Sequence, residues 1–381
     1  MIEFVANRYI YCGNGSIQKL PELLNWYQVK KVFLAVYSKD APITAMIQGI
    51  LHEAGLDSIV YSGVTSEPDL EMVDHAAALC RDSGCDGVIA LGGGSVIDVC
   101  KTVAMIAVNG GRAVEYQLEG KEVVLPPLPF IAIPTTAGTG AEATKVSVLY
   151  NKEKGFKKSV YHTSMIAQAV LLDPQTILGM PKHIIAATGM DAITHAIESY
   201  VSVFATPVSR MYSLKALELL YGNIVAAYED PNDAIAHENM LLGSYLAGCA
   251  ISAGTCLAHI VGQPVGAIFK IPHGNACSIY LAPSIRLNKD YALDLYLDVA
   301  RVMGLEVRGR DPQIVVEEVA DQLDDLCCKV EMKNHLTDYV PIEKINIEEI
   351  LDNIQTSMGH IKTNPNPVSR ELFEKLIRVA L

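Results

Sequence analysis

The chain has 381 residues, half of them hydrophobic, and a formal net charge of −13. That is enough chain for two domains and a large core, and the acidity argues against a polyanionic partner such as nucleic acid. No uninterrupted apolar run reaches membrane-spanning length, and the opening Met-Ile-Glu-Phe-Val lacks the charged start and cleavage pattern of a signal peptide. The expectation is therefore no membrane partner and a cytoplasmic location.

Residues 1–180 alternate strand-like and helix-like segments, which predicts parallel strands joined by crossover helices. Lys30 to Tyr37 reads as a strand, and the helical pattern after Pro42 returns the chain to a second strand at Ser58–Tyr61. A helix around Leu70 to Ser83 leads to the apolar strand Asp86–Leu91 and then to Gly92-Gly-Gly-Ser-Val-Ile-Asp-Val-Cys-Lys101. Glycines there let the backbone approach a ligand, and Ser95 with Asp98 reads as a helix N-cap pair. Free amides of Gly93, Gly94 and Ser95 at such a helix start would bind a diphosphate. Pro129–Ile133 is the next strand, followed by the hydroxyl-rich Pro134-Thr-Thr-Ala-Gly-Thr-Gly-Ala-Glu-Ala-Thr144. Ser38 lies just past the strand that should end near an adenosine ribose, where an acidic residue would reject a 2′-phosphate. With serine there, NAD and NADP both stay open.

Beyond Pro181 the apolar spacing is helical almost throughout, over 208–228, 233–254, 256–269, 290–304, 313–329, 346–357 and 369–380. A boundary near residue 180 then separates an α/β dinucleotide-binding domain, 1–180, from an all-α domain, 181–381. Within the second half, Asp191 and His195 lie four apart on a helical pattern and so share one face. His259 follows the small-residue run at 253–256, and His273 sits in Ile271-Pro-His-Gly. One carboxylate and three imidazoles form an oxygen and nitrogen set that suits zinc or ferrous iron, Zn2+ or Fe2+, rather than a thiolate-loving metal. The nine cysteines are odd in number and irregularly spaced, without a Cys-x-x-Cys pair, and read as reduced thiols. Cys256, one helical turn before His259, reads as a small core residue.

Taken together, Asp-x-x-x-His followed by His-x(13)-His in a Pro-His-Gly turn resembles the metal site of the iron-containing, group III alcohol dehydrogenase family. The Gly-Gly-Gly-Ser-x-x-Asp-x-x-Lys turn and the Pro-Thr-Thr-x-Gly-Thr segment are similar to that family's diphosphate- and nicotinamide-binding stretches. The resemblance spans almost the whole chain in four ordered blocks. It implies the dehydroquinate synthase-like fold, a NAD(P)(H) cofactor, one divalent metal and a homodimer. It also implies Thr135, Thr136, Thr139, Lys157 and Leu178 as cofactor residues, with Lys158 the alternative to Lys157. The implied reaction is hydride transfer between a nicotinamide, lying across an inter-domain cleft, and a small alcohol or aldehyde.

Two departures from the family pattern bear on chemistry. Gln263 stands where many relatives carry a second histidine with a proton-relay role, and glutamine does not titrate. A relay in this chain must then run through water, the cofactor ribose or another group. Ala250 stands where many relatives place a bulky aromatic over the substrate, with Ser252 and Thr255 close behind it. A more open, more polar pocket follows, fitting a short aldehyde with a polar or anionic tail: hydroxy-, carboxy-, phosphono- or sulfo-aldehydes such as sulfoacetaldehyde. Lys145 is a candidate for holding such a tail, against the plainer reading of a solvent-facing strand lysine. The competing functions are a glycerol dehydrogenase or 3-dehydroquinate synthase-like enzyme on the same plan, and an inactive nucleotide- or metal-binding protein.

Overall fold

The computed structural model describes residues 4–64, 67–358 and 361–381. It divides into two compact units: Val5–Thr136 with Gly140–Leu178, and Gly179–Leu381 with Ala137–Thr139.

Among the described residues, the first unit has eight strands: β1 Tyr9–Cys12, β2 Lys31–Val36, β3 Asp57–Tyr61, β4 Gly87–Gly92, β5 Phe130–Pro134, β6 Val146–Asn151, β7 Phe156–Tyr161 and β8 Ala169–Leu172. Six form one sheet in the order β1-β8-β5-β4-β2-β3, and every pairing in it is parallel. The helices α1 Leu20–Trp26, α2 Pro42–Glu53, α3 Leu70–Asp82, α4 Gly94–Asn109 and α5 Ala113–Leu118 lie between them. Strands covered on both faces read as continuous apolar runs. Accordingly, β4 is buried at every position and β2 at all but Lys31. Ile17, Leu20, Leu34, Ile47, Leu91 and Ile133 share one core with them.

After β2 the chain steps outward to β3 and then returns to the opposite side of β2 with β4. That reversal makes the carboxyl ends of β2 and β4 a topological switch point, where open α/β sheets bind ligands. The two ends stay tied together, since the Tyr37 amide donates to the Leu91 carbonyl at 3.2 Å. β6 and β7 form a separate antiparallel ribbon, an element that reading the first half as parallel strands and crossover helices did not anticipate.

The second unit is helical: α6 Lys182–Val201, α7 Pro207–Glu229, α8 Ala234–Ala250, α9 Leu257–Phe269, α10 His273–Asn288, α11 Leu293–Val302, α12 Pro312–Lys329, α13 Ile347–Ser357 and α14 Arg370–Val379. α6 is its axis, buried on all sides from Gly189 to Val201 and packed against α7, α8 and α10. Residues 137–139 belong to this unit because Gly138 lies on Thr188 of α6, where an added Cβ would come within 2.7 Å of the threonine Cβ. No single helix among the described residues is long and apolar enough to cross a membrane.

Candidate active site

Four side chains from three helices of the second unit meet at one carboxylate oxygen. Asp191 and His195 project from α6 one turn apart, and the His195 Nε2 lies 3.9 Å from Asp191 Oδ1. His259 of α9 and His273 of α10 each bring Nε2 to 3.5 Å of the same oxygen. The imidazoles of His195 and His259 stack at 4.5 Å between centroids, and those of His259 and His273 lie 5.4 Å apart. Asp191, His195 and His259 are buried, whereas the His273 side chain is 46% exposed.

Glycine makes this convergence possible. His273 opens α10, and at the next residue, Gly274, a Cβ would stand 2.0 Å from the Ala187 carbonyl oxygen and 3.2 Å from Asp191 Cβ. Only a residue without a side chain lets α10 start that close to α6. Gly262, one turn from His259, plays the same part between α9 and α10. A Cβ there would meet the Ala276 carbonyl and Cys277 Cα at 2.8 Å.

Electrostatics keep Asp191 and His195 open to a cation. Burial alone would raise the Asp191 pKa, but the imidazoles of His195, His273 and His259 outweigh it, holding the carboxyl well below the usual carboxylate range. Burial pushes His195 down to about 4, which leaves it neutral with a free lone pair. His259 is oriented from behind: Glu198 Oε2 lies 2.7 Å from its Nδ1, and Glu198 Oε1 accepts the Ala258 amide at 2.6 Å. That carboxylate fixes the tautomer and turns Nε2 toward Asp191. Neither Asp191 Oδ1 nor His259 Nε2 has a hydrogen-bond partner, although both are buried. Buried polar atoms left unpaired are costly, and here the orphans face each other. A tetrahedral ion with bonds of about 2.0–2.2 Å holds oxygen and nitrogen donors roughly 3.4 Å apart, close to the 3.5 Å observed. The residues therefore fit a divalent metal.

Two residues at this site were not anticipated from sequence. Glu198 is one, signalled only by its position three residues after His195 on α6. Cys277 is the other: one donor atom from each of Asp191, His259, His273 and Cys277 lies within 4.8 Å of every other. Its signal was the four-residue spacing from His273, visible only once α10 is known to be a helix. Cys256 donates instead to the Glu198 and Thr363 carbonyls and stays outside the cluster.

Gln263 lies four residues after His259 on α9, on the same helical face, and is half-buried. Ala250 is fully buried at the end of α8. Ser252 is exposed and bonds back to the Cys249 carbonyl, while Thr255 is half-buried and its carbonyl accepts the Thr363 hydroxyl.

In the first unit, the glycine turn and Ser38 both lie at the switch point, following β4 and β2. The reading of Ser95 and Asp98 as a cap pair is corrected here. α4 begins at Gly94 with Gly93 as its N-cap, and that cap supplies no side-chain bond. Ser95 thus sits inside the first turn. Asp98 faces β6, accepting from the Val148 amide at 2.9 Å and from Lys101 Nζ at 3.2 Å. Thr135 and Thr136 border the glycines, since the Thr135 amide donates to the Gly92 carbonyl and a Cβ on Gly93 would lie 3.1 Å from Thr136 Oγ1. Thr139, by contrast, falls in the helical unit.

Lys157 projects from the β6–β7 ribbon into an ion pair with Glu67 at 3.0 Å. Lys145 is half-buried in the bend just before β6, rather than on a strand. Leu178, half-exposed, ends the first unit.

Two family models cover the chain. One, iron-containing alcohol dehydrogenase, matches residues 7–174, and the other, the C-terminal part of the Fe-containing alcohol dehydrogenase family, matches 185–381. Lactaldehyde reductase of Escherichia coli (strain K12) is 32% identical over 367 residues, covering 95% of this chain and 94% of its own. A solved 1,3-propanediol oxidoreductase superimposes with a TM-score of 0.94 at 26% identity over all of both chains. Sulfoacetaldehyde reductase from Bifidobacterium kashiwanohense, solved in complex with NAD+, gives 0.91 at 27% identity over 100% of this chain and 98% of that one. Sequence, fold and the clustered carboxylate and imidazoles agree: this chain belongs to the iron-containing alcohol dehydrogenase family, whose members are alcohol and aldehyde oxidoreductases.

Proposed function

We propose that this oxidoreductase is a metal-dependent, NAD(P)-linked reductase of short aldehydes that carry a polar or anionic tail. The observation that carries the reading is the set of buried, unpaired donors around Asp191 Oδ1. Asp191, His195, His259 and His273 would hold the cation, with Glu198 keeping His259 in the tautomer that presents Nε2. When bound, the cation supplies Lewis acidity toward a carbonyl oxygen, and the nicotinamide supplies or accepts hydride.

The rest of the chain's part is positioning. Backbone amides at the start of α4 would receive the diphosphate, helped by the positive end of a 16-residue helix. Ser38, at the end of β2, would face the adenosine ribose without the carboxylate that excludes a 2′-phosphate. Thr135 and Thr136 line the same turn. Gln263, on the face of α9 that carries His259, would orient substrate or water through its amide. It cannot donate the proton that aldehyde reduction consumes, which must come from solvent or through the cofactor. Support for the polar tail comes from the small Ala250, from hydroxyls at Ser252 and Thr255, and from relatives named for lactaldehyde and sulfoacetaldehyde.

An aldehyde panel assayed with NADH and NADPH, after loading the protein with zinc or ferrous iron, tests this. Two- and three-carbon aldehydes with hydroxyl, carboxylate or sulfonate tails should be turned over faster than acetaldehyde. A clear preference for simple alkyl aldehydes removes the tail from the proposal. His259→Ala should abolish turnover together with metal content, and an active His259→Ala protein would mean that the metal is held elsewhere.

A further inference from the structure

We propose that Asn364 is a positioning residue for the candidate active site: from the segment that precedes the last helix, it caps α9 and so sets where His259 presents its ring. This rests on the reading of the donor cluster as a metal site, and it gives that site a support from outside the three helices that carry the donors.

Helix α9 starts without a cap of its own. Its N-cap residue, Cys256, makes no side-chain bond to the helix, and its thiol donates instead to the Glu198 and Thr363 carbonyls. The first amides of a helix have no partner within it and must find one elsewhere. Here two side chains distant in sequence supply it. Glu198 Oε1 accepts the Ala258 amide at 2.6 Å, and Asn364 Oδ1 accepts the Leu257 amide at 3.3 Å. His259 is the next residue, so it rides on a turn held at two consecutive positions.

Asn364 is built to hold that turn still. It is 4% exposed, and its amide uses both donors and accepts twice. Asn288 Nδ2 donates to its Oδ1 at 2.8 Å, and its own Nδ2 donates to Asn288 Oδ1 at 2.9 Å and to the Asn366 carbonyl at 2.7 Å. The backbone partners, the Leu257 amide on one side and the Asn366 carbonyl on the other, fix which way the amide faces. Asn288 ends α10, the helix that opens with His273. One side chain thus ties the first turn of α9 to the last turn of α10. Its neighbours seat the segment: the Thr363 hydroxyl donates to the Thr255 carbonyl, the Thr363 carbonyl accepts the Val203 amide at 2.9 Å, and Asn366 Nδ2 donates to the Leu287 carbonyl at 3.1 Å. Gly254 makes room for it, since a Cβ there would come within 2.5 Å of Thr363 Cγ2. A fully bonded buried network is rigid, and removing Asn364 Oδ1 would leave the Leu257 amide buried and unpaired.

Zinc affinity of the full-length protein, measured by competition with a chromophoric chelator beside the urea midpoint, reads this without turnover. Three variants separate positioning from packing. Asn364→Ala removes both the cap and the tie to α10, and should bind zinc roughly tenfold more weakly. Asn288→Ala removes the tie alone, and should lower the midpoint with zinc affinity unchanged. Asn364→Asp keeps an oxygen for the Leu257 amide, at a helix start where negative charge is favoured, and should recover the wild-type affinity. Asn364→Ser replaces the alanine variant if that does not fold. Unchanged affinity in Asn364→Ala, or an equal loss in Asn288→Ala, overturns the proposal and leaves Asn364 a packing residue beside an intact metal site. Zinc binding as weak in Asn364→Asp as in Asn364→Ala overturns it as well. Failure of the wild type to take up zinc overturns both the metal site and the role of Asn364 in it.

Discussion

The residue that decides how well this site holds a cation is one that never touches it. Glu198 fixes His259 through a 2.7 Å contact on Nδ1 and is itself locked by the Ala258 amide. Its negative charge makes the imidazole a better donor, because Glu198 is among the groups that raise the His259 pKa against the opposing effect of burial. Glu198→Gln keeps the shape and removes the charge. The expected outcome is a loss in zinc affinity of roughly 10–100-fold, measured by competition with a chromophoric chelator, with near-ultraviolet circular dichroism unchanged. Unaltered affinity would reduce Glu198 to a packing residue.

At the scale of elements, the site depends on how closely α10 approaches α6. Gly274 sits where any side chain would run into the Ala187 carbonyl, and a backbone atom cannot rotate aside. Gly274→Ala should therefore destabilise the protein by about 3 kcal/mol or more, since overpacking costs typically 1–3 kcal/mol even where neighbours can yield. A lower urea midpoint with an unchanged slope would record it. An unshifted midpoint would mean that the helices can part without penalty.

This approach also explains what could and could not be read from sequence. Asp191 and His195 declare themselves because both lie on one strongly patterned helix. α10 does not, because Pro272, Gly274, Asn275 and Pro283 all look like helix breakers. In the fold, Pro272 takes the N-cap, while Pro283 is accommodated inside the helix. With α10 unread, the spacing of His273 and Cys277 carried no meaning, and the thiol beside the donors went unnoticed. The same holds in the first unit. β2, β4 and β5 were legible as buried apolar runs, whereas β1 and β8 have only four residues each. β7 opens with the exposed Phe156-Lys157-Lys158, and the buried positions of β6 are Ser147, Leu149 and Asn151, so the ribbon carries no apolar alternation to read.

For the molecule as a whole, stability should respond to pH through a group outside the helical unit. Glu142 lies in the short turn Ala141–Ala143 and is buried; its carboxyl is pushed up to about 7 by that burial, with the neighbouring Lys101 opposing. Folded and unfolded chains thus differ in proton affinity at this position, and the folded state holds the proton more tightly. The stabilisation is complete below about 4.5, the value for an exposed glutamate, and is lost as pH rises through about 7. Moving a carboxyl from 4.5 to about 7 corresponds to about 3 kcal/mol at roughly 1.4 kcal/mol per pH unit. Glu142→Gln, neutral at every pH, should remove that dependence. Unfolding free energies of wild type and variant would be compared between pH 4.5 and 8 in metal-free buffer, so that cation release does not contribute. The difference between them should widen in the variant's favour as pH rises, levelling off above about 7. A difference that stays constant with pH would show that Glu142 ionises in the fold as readily as in the unfolded chain, and that Lys101 is enough to solvate its charge.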